Sequence, residues 1–402
     1  MTAPRITVLI PTRERAGTLK ATLKTCIEQD YDNLEIIVSD NDSKDNTKEV
    51  ILACNDPRVR YINPNKRLSM TSNFEFGLNA VKPGYVTAIG DDDGLMPGAV
   101  VKVAGLICDS GMDAIVSNSL YYAWPDFPLE ELKNHLLIRD VRDKVDVKDG
   151  MQELRKLISF SGGEHKYVWG LPGLYRGFVN TKIIDRAKIN GKYFHSFTPD
   201  AYSAIVNSLF VKKYLFLNYP LSIEGVSGRS NGASSLLAVD AAEENRFLSE
   251  NDIACHKDIV NAPSAAIALA EAYLQVRDLF PKFCTNHNFD IARVCSAALK
   301  YSVPKNRSRI QSSVDKILAL HGKSLSDGNL MMTWSIVYYI RRLMGVYYMC
   351  EINCAEFGVS DVYQASCLGD FFLRGQNAKM PRTGLSLIAK KIARIIARKF
   401  DK

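Results

Sequence analysis

The chain has 402 residues, 47% of them hydrophobic, and its 51 Lys and Arg against 44 Asp and Glu leave a formal charge of +7. That length suits two domains with a sizeable core, and so small a basic excess, with no basic and aromatic residues interleaved along a stripe, argues against nucleic acid as a partner. Nine cysteines without a repeated Cys-x-x-Cys pair, and a first apolar run too short for a signal peptide, predict a protein of the reducing cytoplasm.

Residues 6–10 read as a first strand, after which Leu19, Leu23, Cys26 and Ile27 fall on one helical face. Residues 34–39 form a second strand ending in the turn Asp40-Asn41-Asp42-Ser43, and a helix from near Asp45 turns Val50 and Ile51 inward. A short strand at 58–62, a helix around Phe74, Leu78 and Val81, and a strand at 85–89 follow. Pro97 is placed to open the next helix, and a strand at 114–117 closes the series. This rhythm predicts a mostly parallel sheet covered by helices, with ligands beyond the carboxyl ends of its strands. Residues 120–165 carry few periodic signals apart from a helix at 151–158, and read as an insertion or loop. Apolar, Gly-rich sequence resumes over 168–184, Asp200 opens an apolar helix, and 214–217 is a further strand. The loop 224–235, with Gly225, Gly228 and Gly232, reads as a hinge or lid. Beyond about residue 236 the pattern is helical with no convincing strand. Residues 331–350 are apolar, but Arg341 and Arg342 at their middle favour a partly buried helix over a membrane span.

Asp91, Asp92 and Asp93 stand in a row after the strand at 85–89. Adjacent buried carboxylates repel one another unless a cation lies between them, and hard oxygen ligands suit Mg2+ or Mn2+. An acidic turn capping the next helix is the alternative. The turn at Asp40 is not an EF-hand: Lys44 and Asp45 stand at its fifth and sixth positions and Ile51 replaces the closing Glu. Helix capping is the alternative for Asp40 and Asp42, and also for Asp200 after Pro199. His165, His195, Cys350 and Cys354 form no zinc pattern.

Three segments recur in a telling order: Ile10-Pro11-Thr12-Arg13, Ser39-Asp40-Asn41-Asp42-Ser43 and Ile89-Gly90-Asp91-Asp92-Asp93. Over roughly residues 4–235 they resemble the family 2 glycosyltransferases of the GT-A fold. The resemblance implies a nucleotide-sugar donor, with Pro11, Thr12, Arg13, Asp40, Asp42, Arg67 and Asp91 at the nucleotide and Asp40 accepting from the base, a uracil. The acidic segment matches the family's DXD motif, which assigns a Mn2+ or Mg2+ ion to Asp92, with Asp93 beside it. Gly90 stands where many relatives carry the first Asp of that motif. An inverting transfer needs a carboxylate to take the acceptor proton, and Asp200 follows the acceptor segment as the family's base does. Trp169 and His195 fall on the acceptor side, where a core aromatic and a structural histidine are the alternatives. Arg229, in the Gly-rich loop, is placed to clamp the diphosphate.

The expected architecture is therefore a GT-A α/β domain at 1–235 with a mostly parallel central sheet, a mainly helical domain at 236–383 and a basic amphipathic tail at 384–402. In that tail Leu385, Ile388, Ile392, Ile395 and Ile396 follow helical spacing among Lys390, Lys391, Arg394 and Arg398, which suits a peripheral contact with an anionic membrane. A docked or disordered tail is the alternative. The family association points to a glycan or lipid-linked acceptor in bacterial surface polysaccharide, lipopolysaccharide or capsule synthesis. A nucleotidyltransferase lacks its Gly-rich signature and activating Lys here, and a scaffold without activity would not need both the acidic motif and Asp200.

Overall fold

The computed structural model describes residues 3–139, 144–160, 168–230, 249–325 and 348–377. The first elements alternate: β1 (Ile6–Thr12), α1 (Ala16–Ile27), β2 (Leu34–Asp40), α2 (Thr47–Leu52), β3 (Val59–Ile62), α3 (Met70–Asn79) and β4 (Tyr85–Ala88). Alternation of side chains along β1 explains the layering. Ile6, Val8 and Ile10 pack with Leu19, Leu23 and Cys26 of α1 on one face, and Leu9 packs with Phe74 and Leu78 of α3 on the other. Both faces are covered, so the strand reads as one apolar run.

The strands β3, β2, β1 and β4 are parallel neighbours in that order. Beyond β4 the sheet continues through β9 (Gly177–Asn180), β6 (Ala114–Ala123) and β7 (His135–Arg139), joined antiparallel. A long strand, β10 (Lys213–Val226), runs parallel to β6 and pairs antiparallel with β8 (Val145–Asp149) in its first half and β5 (Gly94–Leu95) in its second. The mostly parallel α/β sheet expected from the sequence is present, with two departures. Residues 120–149 are not simply a loop: β6 runs on to Ala123, and β7 and β8 both join the sheet. Their patterns are short and half polar, which is why periodicity missed them. Pro97 does not open a helix; α4 (Ala99–Ser110) starts two residues later, after Gly98 at φ 73°.

The remaining helices are α5 (Gly150–Ile158), α6 (Thr181–Ala187), α7 (Pro199–Phe210), α8 (Ala265–Leu279), α9 (Pro281–Cys284), α10 (Ile291–Lys300), α11 (Arg307–Leu320) and α12 (Val362–Asn377). The helical C-terminal region begins where α8 packs on α7, and it extends the apolar core on the α3 face of the sheet. It also contains a strand, contrary to the sequence reading. β11 (Tyr348–Asn353) pairs antiparallel with β7 and covers the sheet edge, and α12 then packs on α1 with the Lys24 ammonium 4.3 Å from the Tyr363 ring centroid. Residues 331–347, His165, Gly232 and the tail 384–402 lie outside the described residues. Among the described residues no helix is long and apolar enough to cross a membrane.

Candidate active site at the carboxyl edge of the sheet

Register builds the site. Thr12 of β1 lies opposite Asp40 of β2, and Leu9 lies opposite Ala88 of β4, so the same register carried three residues on brings Asp91 level with Thr12. The Thr12 hydroxyl donates to Asp91 Oδ2 at 2.7 Å. All three sequence motifs thus end on one edge.

Arg15, at the start of α1, is the cation of this edge. Its Nη1 lies 3.1 Å from Asp91 Oδ1 and 3.4 Å from Asp92 Oδ2, and its Nη2 donates to the Arg229 carbonyl. Asp92 Oδ2 also accepts from the Ser227 hydroxyl at 2.6 Å and the Ser227 amide at 3.2 Å. Asp93 is held differently, since its two oxygens accept from the amides of Gly90 at 2.7 Å and Gly225 at 2.8 Å. It braces the turn against β10, and burial, reinforced by the Asp92 charge, pushes its carboxyl up to about 8. Burial also raises Asp91, with Arg15 opposing and Asp92 adding to the shift. The brace accounts for Gly90: a Cβ there would stand 2.9 Å from Asp93 Oδ2 and 3.1 Å from Asp92 Oδ1. Gly225 is equally constrained, because a Cβ would overlap the Asp92 carbonyl, which accepts from Trp124 Nε1 at 3.0 Å. The supposed hinge therefore begins as strand, with Glu224 and Gly225 both paired to β6.

The donor set fits a hard divalent ion. Asp91 and Asp92 already converge on one positive nitrogen, and Mg2+ in phosphate sites is commonly held by one or two carboxylates, with water and substrate oxygens completing its shell. Among the described residues no group of three or more His, Cys, Asp and Glu side chains could hold a metal by itself.

On the β2 side, Asp40 is buried, and its Oδ1 accepts from the Ser43 amide at 3.1 Å. Its Oδ2 accepts from the Tyr61 hydroxyl at 2.9 Å and Asn63 Nδ2 at 3.4 Å. Asp42, at φ 54°, turns outward to Lys44 at 2.9 Å. Arg67 donates to the Asn41 carbonyl at 3.0 Å and to Glu14 at 3.1 Å, and Arg229 donates to the Glu14 carbonyl at 3.3 Å, so both arginines frame the edge. Pro11 continues β1 opposite Ser39, while Arg13 pairs with Glu250 from the C-terminal side.

Asp200 lies in the first turn of α7 after Pro199, while the cap position belongs to Thr198. Tyr175 links it to the acidic turn: burial first, then Asp93, Asp200, Asp91 and Asp92, drive the Tyr175 hydroxyl pKa well above its usual value. The buried Tyr175 hydroxyl lies within electrostatic reach of all four carboxylates. Trp169 is stacked by the Arg176 guanidinium, 4.2 Å from its ring centroid, and buried Arg176 pairs with Glu224 and Tyr121. His195 Nε2 lies 3.1 Å from the Lys192 carbonyl, and burial lowers its pKa.

Sequence reasoning missed Arg15, Ser227, Tyr61 and Tyr175. Arg15, a basic residue directly before the first apolar helix, carried a usable signal; the others are assembled by strand pairing over long separations.

Residues 7–167 match the family model described as glycosyl transferase family 2. A Campylobacter jejuni protein named GalNAc(5)-diNAcBac-PP-undecaprenol beta-1,3-glucosyltransferase is 38% identical over 100 residues, which cover 24% of this chain and 32% of that protein. Chondroitin synthase of Pasteurella multocida is 27% identical over 154 residues, covering 35% of this chain and 16% of the synthase. The matched stretches thus span about a third or less of these relatives. The solved structure of S. aureus TarS 1-349 in complex with UDP-GlcNAc aligns over 82% of this chain and 99% of that one, at 11% identity and a TM-score of 0.46. The matched segment carries all three edge turns, the acidic motif among them, and over residues 7–167 the chain contains a glycosyl transferase family 2 domain.

Proposed function

We propose that this protein transfers a sugar, with inversion, from a nucleotide-sugar donor to a glycan or lipid-linked acceptor of a bacterial surface polysaccharide, lipopolysaccharide or capsule, and that the donor is a UDP-sugar. One observation carries the reading: Asp91 and Asp92 gather around a single positive centre, while Asp200, from a helix more than a hundred residues later, shares the Tyr175 environment with them. Leaving-group charge and acceptor proton are thereby handled at one edge.

Asp91 and Asp92 would hold Mg2+ or Mn2+, which when bound supplies electrostatic stabilisation of the diphosphate leaving group. Thr12 fixes the Asp91 carboxylate, Ser227 fixes Asp92, and Arg15 lies against both. Asp93 serves as the brace between the acidic turn and β10. Asp40, oriented by Tyr61 and Asn63, faces the base side, with Arg67 and Arg229 flanking. Asp200 takes the proton of the acceptor hydroxyl, and Trp169 and His195 belong to the acceptor side. The named undecaprenol-linked substrate of the Campylobacter relative supports a lipid-linked acceptor, and the basic tail 384–402 is suited to bring the site to an anionic membrane surface on the cytoplasmic side.

A thermal-shift panel of UDP, GDP, ADP and UDP-sugars, with and without Mn2+, tests this reading. A ligand at a hundredfold its dissociation constant adds about 2.7 kcal/mol to stability. UDP with Mn2+ should raise the melting temperature, and Asp92→Ala should abolish the Mn2+-dependent part while the unliganded protein melts as a folded chain. An unchanged Mn2+-dependent shift in Asp92→Ala removes the metal role.

A further inference from the structure

Glu271, in the middle of α8, is 0% exposed. A carboxylate so buried needs donors aimed at it. It has three: the Ser196 hydroxyl at 2.5 Å on Oε2, and Gln275 Nε2 at 2.8 Å and the His256 amide at 3.3 Å on Oε1. Two of these partners belong to its own C-terminal region. Ser196 does not, for it lies in the loop that leads into α7.

The direction of that bond matters, because a serine hydroxyl has one proton and two lone pairs. The Ser196 hydroxyl donates to Glu271, which turns the Ser196 lone pairs back toward its own loop. There Ser196 Oγ accepts from the Thr198 amide at 3.2 Å and lies 3.1 Å from Thr198 Oγ1. Thr198 holds the cap position of α7 without a side-chain cap bond of its own, so Ser196 does part of the work of organising that entry. The Ser196 carbonyl is fixed in turn by Thr71 Oγ1 of α3 at 3.2 Å. Two residues beyond Thr198 stands Asp200, and Ser203 ties its carbonyl at 2.9 Å while receiving the Leu174 amide at 3.2 Å.

From this chain we infer that Glu271 is a positioning residue: through Ser196 it fixes the first turn of α7 and hence the direction of the Asp200 carboxylate. The inference rests on the reading of Asp200 as the base. It gives the helical C-terminal region a part in the transfer step, which the family match at 7–167 does not reach.

The test uses the full chain with Mn2+ and measures nucleoside diphosphate released from UDP-GlcNAc, UDP-glucose and GDP-mannose with water as acceptor. Glu271→Gln removes the charge at nearly constant shape, and Ser196→Ala removes the hydroxyl should the first variant fold poorly. Misplacement by about 1 Å is worth up to roughly 10²-fold in rate, so each variant should lose about 10- to 100-fold in kcat with KM for the donor held within about twofold. The double variant should be no worse than either single one, as for residues acting in one chain of contacts. Unchanged kcat in both single variants, additive losses, or a kcat loss matched by a rise in donor KM overturns the inference while Asp200→Asn remains strongly impaired. A wild-type chain that releases nothing from any donor, or an Asp200→Asn variant with normal release, overturns instead the site reading on which it stands.

Discussion

At the scale of residues, the three consecutive aspartates do three different jobs. Asp91 meets Thr12 and Arg15, Asp92 meets Arg15 and Ser227, and Asp93 closes a turn with two amides. Spacing alone cannot distinguish them, because the division arises from which strand or loop arrives opposite each carboxylate. Asp200 stands apart from this group and has a different expected signature. Asp200→Asn should preserve Mn2+-dependent nucleotide affinity and lower transfer by roughly 10²–10⁴, the usual contribution of a positioned general base. Binding by titration calorimetry and turnover measured side by side decide the matter, and near-normal turnover reduces Asp200 to a first-turn acid favoured by the helix dipole.

At the scale of elements, the second half of β10 is the strut against which the acidic turn is set. Its Gly225 amide holds Asp93, and the Asp92 carbonyl fills the space a side chain would need. Gly225→Ala should therefore cost at least about 1–3 kcal/mol, the range for forced overpacking, seen as a lower urea midpoint, and weaken Mn2+-dependent nucleotide binding through displacement of Asp92. Gly105, with open space around its Cβ position, gives the control substitution to Ala, with no loss of binding.

The same strut shows what was legible beforehand. The β1, β2 and β4 turns could be read because each is a short apolar run followed by polar residues whose order matters, and parallel register then aligns them without further information. The role of Ser227 could not be read, since nothing local distinguishes it from any loop serine; it meets Asp92 only because β10 pairs with β6 and β5. Likewise β7, β8 and β11 are only five or six residues long, and β8 and β11 meet their partners β10 and β7 across long stretches of sequence. Within the loop expected at 224–235, Gly225 answers to close backbone approach and not to hinge freedom.

At the scale of the whole molecule, the C-terminal region is wired into the catalytic half at several points. Glu250 reaches Arg13, Asp252 accepts from Ser69 and Ser72 at 2.5 Å each, and Glu271 reaches Ser196. For the tail at 384–402 we propose a different task, contact with an anionic membrane. Removing residues 384–402 should reduce sedimentation with anionic liposomes, and salt should weaken binding of the intact chain by screening its basic residues. Donor binding should survive the truncation. Equal retention in solution of intact and shortened chains at low salt makes the tail a packing or partner-binding helix.

The pairing of β11 with β7 sets a timetable for biosynthesis. β7 emerges from the ribosome about two hundred residues before the strand that covers it. At synthesis rates of about 5–20 residues per second, its edge stays open for roughly 10–40 s. An open strand edge templates pairing with other chains, so every nascent molecule passes through an interval in which its sheet is most of the way built and still adhesive. The interval closes only when residues 348–353 have been made, which ties completion of the sheet to a strand about two hundred residues downstream of β7.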